Sequence, residues 1–341
     1  MPDSATIHAE LAESANHAIS LDAGEISQNL LTGAFRSLFR IEKEAEVTEP
    51  GVFQIDSAPA NLDVKSMDLA HWRYFALSLL QENLRERRYA SFNEYEFCLV
   101  LDVSRSISQG WETALQDRAG LPWRQHVLYT AKYLVYAFLR SALHGGYRCH
   151  VTLVDQGYQE TLHLQDDENQ VFAVLDFIDT YIDARSRAIE VPDDAPPWAS
   201  VLGGLAERAN PMLVAVISDF LDPLVHGTGE DELFALLGQL RYQHRLLVFQ
   251  VNREEDINWP LGGMPTEREL YHEEAGGRIS LNPYEFQRLR AQMRDWLGGT
   301  GAEEEQGRFS QRMREMAITY RRCIAGESIR ERIESLVANS I

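Results

Sequence analysis

Cysteine is scarce in this chain, and it is not arranged to do anything jointly. Three cysteines stand in 341 residues, Cys98, Cys149 and Cys323. None forms a C-x-x-C pair and their number is odd, which argues against a disulfide framework or a zinc site and for a reducing, cytoplasmic setting. Positive charge is also in short supply. The chain has 32 basic against 52 acidic residues, a formal net charge of −20. A field of that sign repels phosphate backbones, so nucleic acid is not expected as a partner, whereas cations are drawn to the surface. No apolar run approaches the ~20 residues a membrane-crossing helix needs, so no membrane span is expected. The N-terminus, M-P-D-S-A-T-I-H-A-E, has no basic stretch followed by an apolar core, so no secretion signal is read there. Two catalytic signatures are missing: there is no G-x-x-x-x-G-K-[ST] phosphate loop and no G-x-S-x-G nucleophile elbow. Internal repeats and long low-complexity tracts are absent too.

What is present is organised around Y-E-F-C-L-V-L-D-V-S-R-S, from Tyr95 to Ser106. Phe97 to Leu101 is unbroken apolar sequence, the pattern of a short strand buried on both faces of a parallel sheet. The run ends in Asp102, with Ser104 and Ser106 at alternate positions after it. Open α/β sheets bind ligands beyond the carboxyl ends of their strands, where these three residues fall. A carboxylate and two hydroxyls are hard oxygen donors suited to Mg²⁺ or Mn²⁺.

The rest of the chain alternates strands and helices. Residues 1–21 are polar and alanine-rich and read as partly disordered, with Asp22 and Glu25 as a capping box opening a helix through Leu38. Residues 45–66 read as loop. From Asp68, apolar residues at Leu69, Trp72, Phe75, Leu79, Leu80 and Leu84 recur at helical spacing, ending in Arg85, Arg87 and Arg88, a solvated helix end. After the first strand a loop over 107–122 precedes a helix over 123–143. Strands are expected at Cys149–Val154, Glu160–Leu164, Met212–Ile217 and Leu246–Val251. Helices are expected from Asn169 through Ile182, from Ser200 to about Arg208, and over Glu232–Tyr242. His144 and His150 read as polar loop residues. A hairpin is expected within 262–282, then helices over 284–297, 308–323 and 327–338, with a flexible acidic connector at 298–307. The acidic pairs and runs at Asp193-Asp194 and Glu303–Glu305 read as solvated surface, and Asp222 as a turn residue before Pro223.

This alternation predicts an α/β fold: a doubly wound, mostly parallel, Rossmann-like sheet with N-terminal and C-terminal helical additions. The expected division is 1–93, helical and irregular; 94–255, the α/β domain; and 256–341, a hairpin plus helical region packing on it. The strand over 212–217 also ends in polar residues, Ser218 and Asp219. If the loops converge, Asp102, Ser104, Ser106, Ser200 and Asp219 form an oxygen-lined cavity with two negative charges. Few anionic ligands would leave a bound Mg²⁺ electrophilic, able to take a partner's carboxylate. The alternative is an ion-free site in which Asp102 and Asp219 cap helices or bond to loop amides.

Asp102-Val103-Ser104-Arg105-Ser106 resembles the D-x-S-x-S first loop of the von Willebrand factor A fold, whose metal-ion-dependent adhesion site binds Mg²⁺. The resemblance implies a third-loop Asp, matched by Asp219 in V-I-S-D-F, and a second-loop Thr, for which Ser200 in W-A-S-V-L-G-G-L is the best match. In the family, direct ligation falls mainly on the two Ser and the Thr, with the Asp residues often acting through water. D-L-A-H-W at 68–72, I-S-D-F-L-D-P at 217–223 and H-R-L-L-V-F-Q-V at 244–251 further resemble a soluble bacterial von Willebrand A-like family typically encoded beside MoxR-type AAA+ ATPases. The likeness covers roughly residues 50–325. This chain lacks that family's basic R-x-Y-x-x-G-D stretch and has Ile107 where the family usually has Met.

The resemblance implies a non-enzymatic, Mg²⁺-dependent (or Mn²⁺-dependent) protein-binding module, partner to a MoxR-type AAA+ ATPase and its client in bacterial complex assembly. Two alternatives stay open. One is a metal-independent scaffold with a vestigial site. The other is a metal-dependent phosphoester hydrolase using Asp102, against which Ser104 stands where such enzymes of the haloacid dehalogenase type carry a second Asp.

Overall fold

The structure, a computed structural model, describes residues 4–32, 96–116, 122–144, 147–155, 158–164, 169–186, 198–208, 210–221, 229–253, 268–272, 277–281, 283–298, 307–331 and 333. All belong to one of the chain's two compact units, Met1–Ile41 with Tyr95–Ile341. The loop expected over 45–66, the helix over 68–84 with its arginine cluster, and Asp193, Asp194, Asp222 and Glu303–Glu305 lie outside the described residues.

Alternating helices and strands build the unit. Helix α1 (Ser4–Thr32) precedes β1 (Glu96–Asp102), the short helices α2 (Arg105–Ser108) and α3 (Trp111–Gln116), and α4 (Val127–His144). Next come β2 (Arg148–Asp155), β3 (Tyr158–Leu164), α5 (Asn169–Ser186), α6 (Trp198–Ala206), β4 (Leu213–Ser218), α7 (Glu230–Gln243) and β5 (Arg245–Asn252). A hairpin, β6 (Arg268–His272) with β7 (Gly277–Leu281), leads to α8 (Pro283–Leu297), α9 (Arg308–Glu315) and β8 (Thr319–Ile324).

Six strands form one sheet in the order β3-β2-β1-β4-β5-β8. All neighbours run parallel except β2 and β3, a hairpin pair that places an antiparallel strand on one edge. The protein is thus an α/β protein with a mostly parallel, Rossmann-like sheet. Strand residues alternate between two cores. Phe97, Leu99, Leu101, Ala215, Ile217, Leu247 and Phe249 pack against α1, α4 and α5. Cys98, Val100, Val214, Val216 and Val248 pack against α6, α7, α8 and α9. Burial on both faces is why these strands read as continuous apolar runs rather than alternating ones. Tyr133, Tyr136 and Phe138 are core residues of α4, and all three cysteines are buried and unlinked.

Four local expectations are corrected. Residues 4–21, expected to be partly disordered, belong to a helix that starts at Ser4, so Asp22 lies inside it rather than at its cap. Burial of Ala15, Asn16, Ile19 and Ala23 against the sheet's helices supplies the stabilisation that weak periodicity concealed. The expected loop over 107–122 contains α3 and the end of α2. The expected helix over 308–323 ends at Glu315, and its second half is strand β8, which adds the sixth strand from beyond the 94–255 segment. His150 lies within β2, and its Nδ1 hydrogen-bonds Nδ1 of His163 on β3 at 2.6 Å.

Candidate functional site

The chain runs outward from β1 through β2 to β3, then returns to lay β4, β5 and β8 on the other side of β1. The order therefore reverses between β1 and β4, and the loops at their carboxyl ends leave a crevice at that point. Leu101 pairs with Ile217 in the parallel register, which brings Asp102 level with Ser218 and puts Asp219 one residue beyond it. Asp102 and Asp219 stand on the same rim.

Asp102 is fully buried and held on both carboxylate oxygens. Oδ1 accepts the Ser104 backbone N–H at 2.9 Å, and Oδ2 accepts the Ser218 hydroxyl at 2.6 Å. The Asp102 to Ser104 bond turns the chain sharply after the strand, as aspartate side chains do at turns. Ser104 occupies the N-cap position of α2 but makes no side-chain capping bond. Its Oγ lies instead 3.2 Å from the Oγ of Ser106, the two hydroxyls sharing a hydrogen bond. Ser104 is buried and Ser106 half-buried. Arg253, just past β5, fixes this loop by donating to the carbonyls of Ser106 at 3.2 Å and Gln109 at 3.3 Å.

The loop after β4 is built by the same device. Ser218 Oγ accepts the Phe220 N–H at 2.9 Å and Asp219 Oδ1 accepts the Leu221 N–H at 3.1 Å. Phe220 takes a left-handed backbone conformation, φ 53°, which costs a bulky residue of order 1–3 kcal/mol. Its surroundings hold it there: Trp296 Nε1 donates to its carbonyl at 3.0 Å, and its ring stacks between Trp198 and Phe309. Gln250 on β5 donates to the Asp219 carbonyl at 3.1 Å and accepts from the Tyr320 hydroxyl on β8 at 2.6 Å. A buried polar row thus crosses the sheet from β8 to the crevice. Beside it, the β2 terminus carries Asp155, buried and paired with Arg185, which also donates to the Val103 carbonyl at 3.3 Å.

Four of the five candidate residues are therefore brought together: Asp102, Ser104, Ser106 and Asp219 lie on the β1 and β4 loops of one crevice. Ser200 is different. It lies in the first turn of α6 and is exposed, and among the described residues no hydrogen bond joins it to the other four. Its neighbour Trp198 does contact the crevice wall through Phe220. Sequence reasoning named Ser218 at its strand end but left it out of the ligand set, and did not single out Gln250, Tyr320 or Arg253. Ser218 was legible as a hydroxyl at a strand terminus; the other three contribute from separate strands and left no local signal.

The donor set fits a hard cation by its chemistry. Two ligands at right angles on an octahedral Mg²⁺, each about 2.1 Å from it, stand about 3.0 Å apart. The Ser104 and Ser106 oxygens are separated by 3.2 Å without any rearrangement. Among the described residues no three His, Cys, Asp or Glu side chains are gathered as a metal could use. The crevice relies on hydroxyls as well as carboxylates, so it is not a cluster of that kind.

The class defined so far is an α/β protein with an oxygen-donor crevice at its sheet's switch point. Comparison with known proteins does not narrow it. No family model matches the chain, and no curated protein matches it. One solved structure, described as an uncharacterized membrane spanning protein from Vibrio fischeri, aligns at 12% identity over 72% of this chain and 98% of that one. The TM-score of 0.19 is too low to carry a structural argument. Among the described residues of this chain no helix is long and apolar enough to cross a membrane.

Proposed function

We propose that the crevice is a von Willebrand A-like adhesion site and that the protein is a non-enzymatic, Mg²⁺-dependent protein-binding module. The observation that supports this most is the convergence of Asp102, Ser104 and Ser106 from β1 with Asp219 from β4 at the reversal of strand order. Ser104 and Ser106 would hold the ion directly. Asp102, already accepting two hydrogen bonds, would act through water, and Asp219 would add charge from the opposite loop. A bound Mg²⁺ or Mn²⁺ would supply an electrophilic position for the carboxylate of a partner protein. Ser200 would complete the set only if the start of α6 closes toward the crevice. By the resemblance of 68–72, 217–223 and 244–251, the partner is a MoxR-type AAA+ ATPase acting on a client protein in a bacterial cytoplasm.

Titration calorimetry of the whole protein with Mg²⁺ and Mn²⁺ tests the reading. Binding should be lost in Ser104→Ala and in Asp102→Ala; equal behaviour of wild type and these variants defeats it. Capture of partners from the source cells should likewise fail in chelator.

One observation favours a second reading. Both Asp102 oxygens already have protein donors, which is what an ion-free structural cap requires. Under that reading the protein is a metal-independent scaffold, and partner capture is the same with and without chelator.

A further inference from the structure

Next to the crevice, on the α1-bearing side of β1, lies a cavity of about 280 Å³. Its lining includes Arg105, Gln109, Trp111, Glu112, Ile182 and Arg185. Arg105 stands between Ser104 and Ser106 in sequence, so the cavity and the crevice are two openings off one loop.

The two arginines of this cavity differ. Arg185 is committed: its guanidinium pairs with buried Asp155 and donates to the Val103 carbonyl. That charge is neutralised, and its arrangement is fixed. Arg105 is half-buried in the wall, and among the described residues no carboxylate lies within salt-bridge distance of it. In a chain of net charge −20, an arginine in a cavity wall with no carboxylate of the described residues at salt-bridge distance stands out. Trp111 and Ile182, both buried, give the cavity an apolar floor. A guanidinium over an apolar floor accommodates a carboxylate on a short aliphatic stem, the shape of a glutamate or aspartate side chain. Glu112 also lines the cavity, and its charge opposes an anion there.

We infer that this cavity is a second anchor for an acidic segment of a partner protein, with Arg105 taking one carboxylate while the crevice faces another. The inference rests on the reading of this rim as a partner-binding surface, but Arg105 needs no metal to act. The two acidic residues would lie close together in the partner's sequence, because the two openings share one loop.

The test uses the full-length protein and a dye-labelled Gly-Glu-Gly-Glu-Gly peptide, with its Gln-for-Glu counterpart as control, read by fluorescence anisotropy at low salt. The Glu peptide is expected to bind and the Gln peptide to bind at least about ten-fold more weakly, as for loss of a charge-assisted hydrogen bond. Arg105→Gln should weaken the Glu peptide by a similar factor, and Glu112→Gln should tighten it. Circular dichroism confirms that both variants are folded, and neither residue lies in the core. Residual binding of the Glu peptide in EDTA, still lost in Arg105→Gln, upholds the cavity even if the metal site fails. Binding that is metal-dependent but indifferent to Arg105 and Glu112 overturns the cavity and leaves the metal site standing. Equal binding of the two peptides, or none by wild type, also overturns it.

Discussion

Two aspartates in this protein, Asp102 fully buried and Asp179 half-buried, are held in different ways. Asp179 on α5 lies under α1 and receives the Lys132 ammonium at 2.7 Å on both oxygens, the Trp111 indole N–H at 3.1 Å and the Asn16 amide at 2.9 Å. Lys132 is fully buried and also faces the Trp111 ring. Burial drives its pKa down and Asp179 pulls it back up. The charges cancel, and the cluster ties α1, α3, α4 and α5 together. Asp102 accepts from an amide and a hydroxyl. Both of these donors are neutral groups, unlike the ammonium on Asp179. The first arrangement is a staple between helices; the second holds a carboxylate at the rim of a crevice.

The sharpest way to break the comparison is to remove one partner of the staple. Lys132→Met should cost about 3 kcal/mol of stability in urea denaturation, because Asp179, half-buried beneath α1, is left without its cation. Pairing it with Asp179→Leu should recover much of that loss; no recovery would show that the cluster contributes something beyond charge cancellation.

A pH series probes the boundary between the two regions. His126, just before α4, is held neutral: Nε2 donates to the Gln109 carbonyl at 2.8 Å and Nδ1 accepts the Leu128 N–H at 3.1 Å. Burial, with Arg253 adding to it against the Gln109 carbonyl, lowers its pKa to about 4. Between about 6.5 and about 4 the unfolded chain binds a proton there that the folded chain refuses, so stability falls as pH falls through that window. The loss should reach ~3 kcal/mol. His126→Gln should flatten the slope relative to wild type; an unchanged slope would place the titration elsewhere.

Within the crevice the expected effects are smaller in stability and larger in binding. Ser218→Ala removes the hydroxyl donor to Asp102 and should cost about 1–3 kcal/mol in thermal or chemical unfolding. It should also weaken Mg²⁺ in calorimetry, since Asp102 would no longer be oriented. Ser200→Ala, at an exposed position, should change stability by less than about 0.5 kcal/mol. Its effect on Mg²⁺ affinity decides whether α6 contributes to the site at all.

Much of the architecture was legible because both-face burial writes itself into consecutive residues. Phe97 to Leu101 and Leu213 to Ile217 could be placed as central strands from their apolar runs, and their polar endings located the rim. Strand β8 was not legible. Thr319 to Arg322 are only partly apolar, and their pairing with β5 depends on residues some 70 positions earlier. Helix α1 was likewise hidden, since its small buried residues declare a face only once α4 and α5 stand against it. Ser104 and Ser106 were found by their spacing, whereas Gln250, Tyr320 and Arg253 act across strands and carry no motif.

By itself the sequence determined the strand cores, the carboxylate and hydroxyls at their ends, and the excess of negative charge, because these follow from local pattern and composition. Tertiary structure alone decided that β1 and β4 are neighbours, that Ser218 orients Asp102, that Ser200 stands apart, and that Arg105 opens into a cavity. Strand order and register are set by contacts between distant segments, and no local run of residues encodes the distance between two loops.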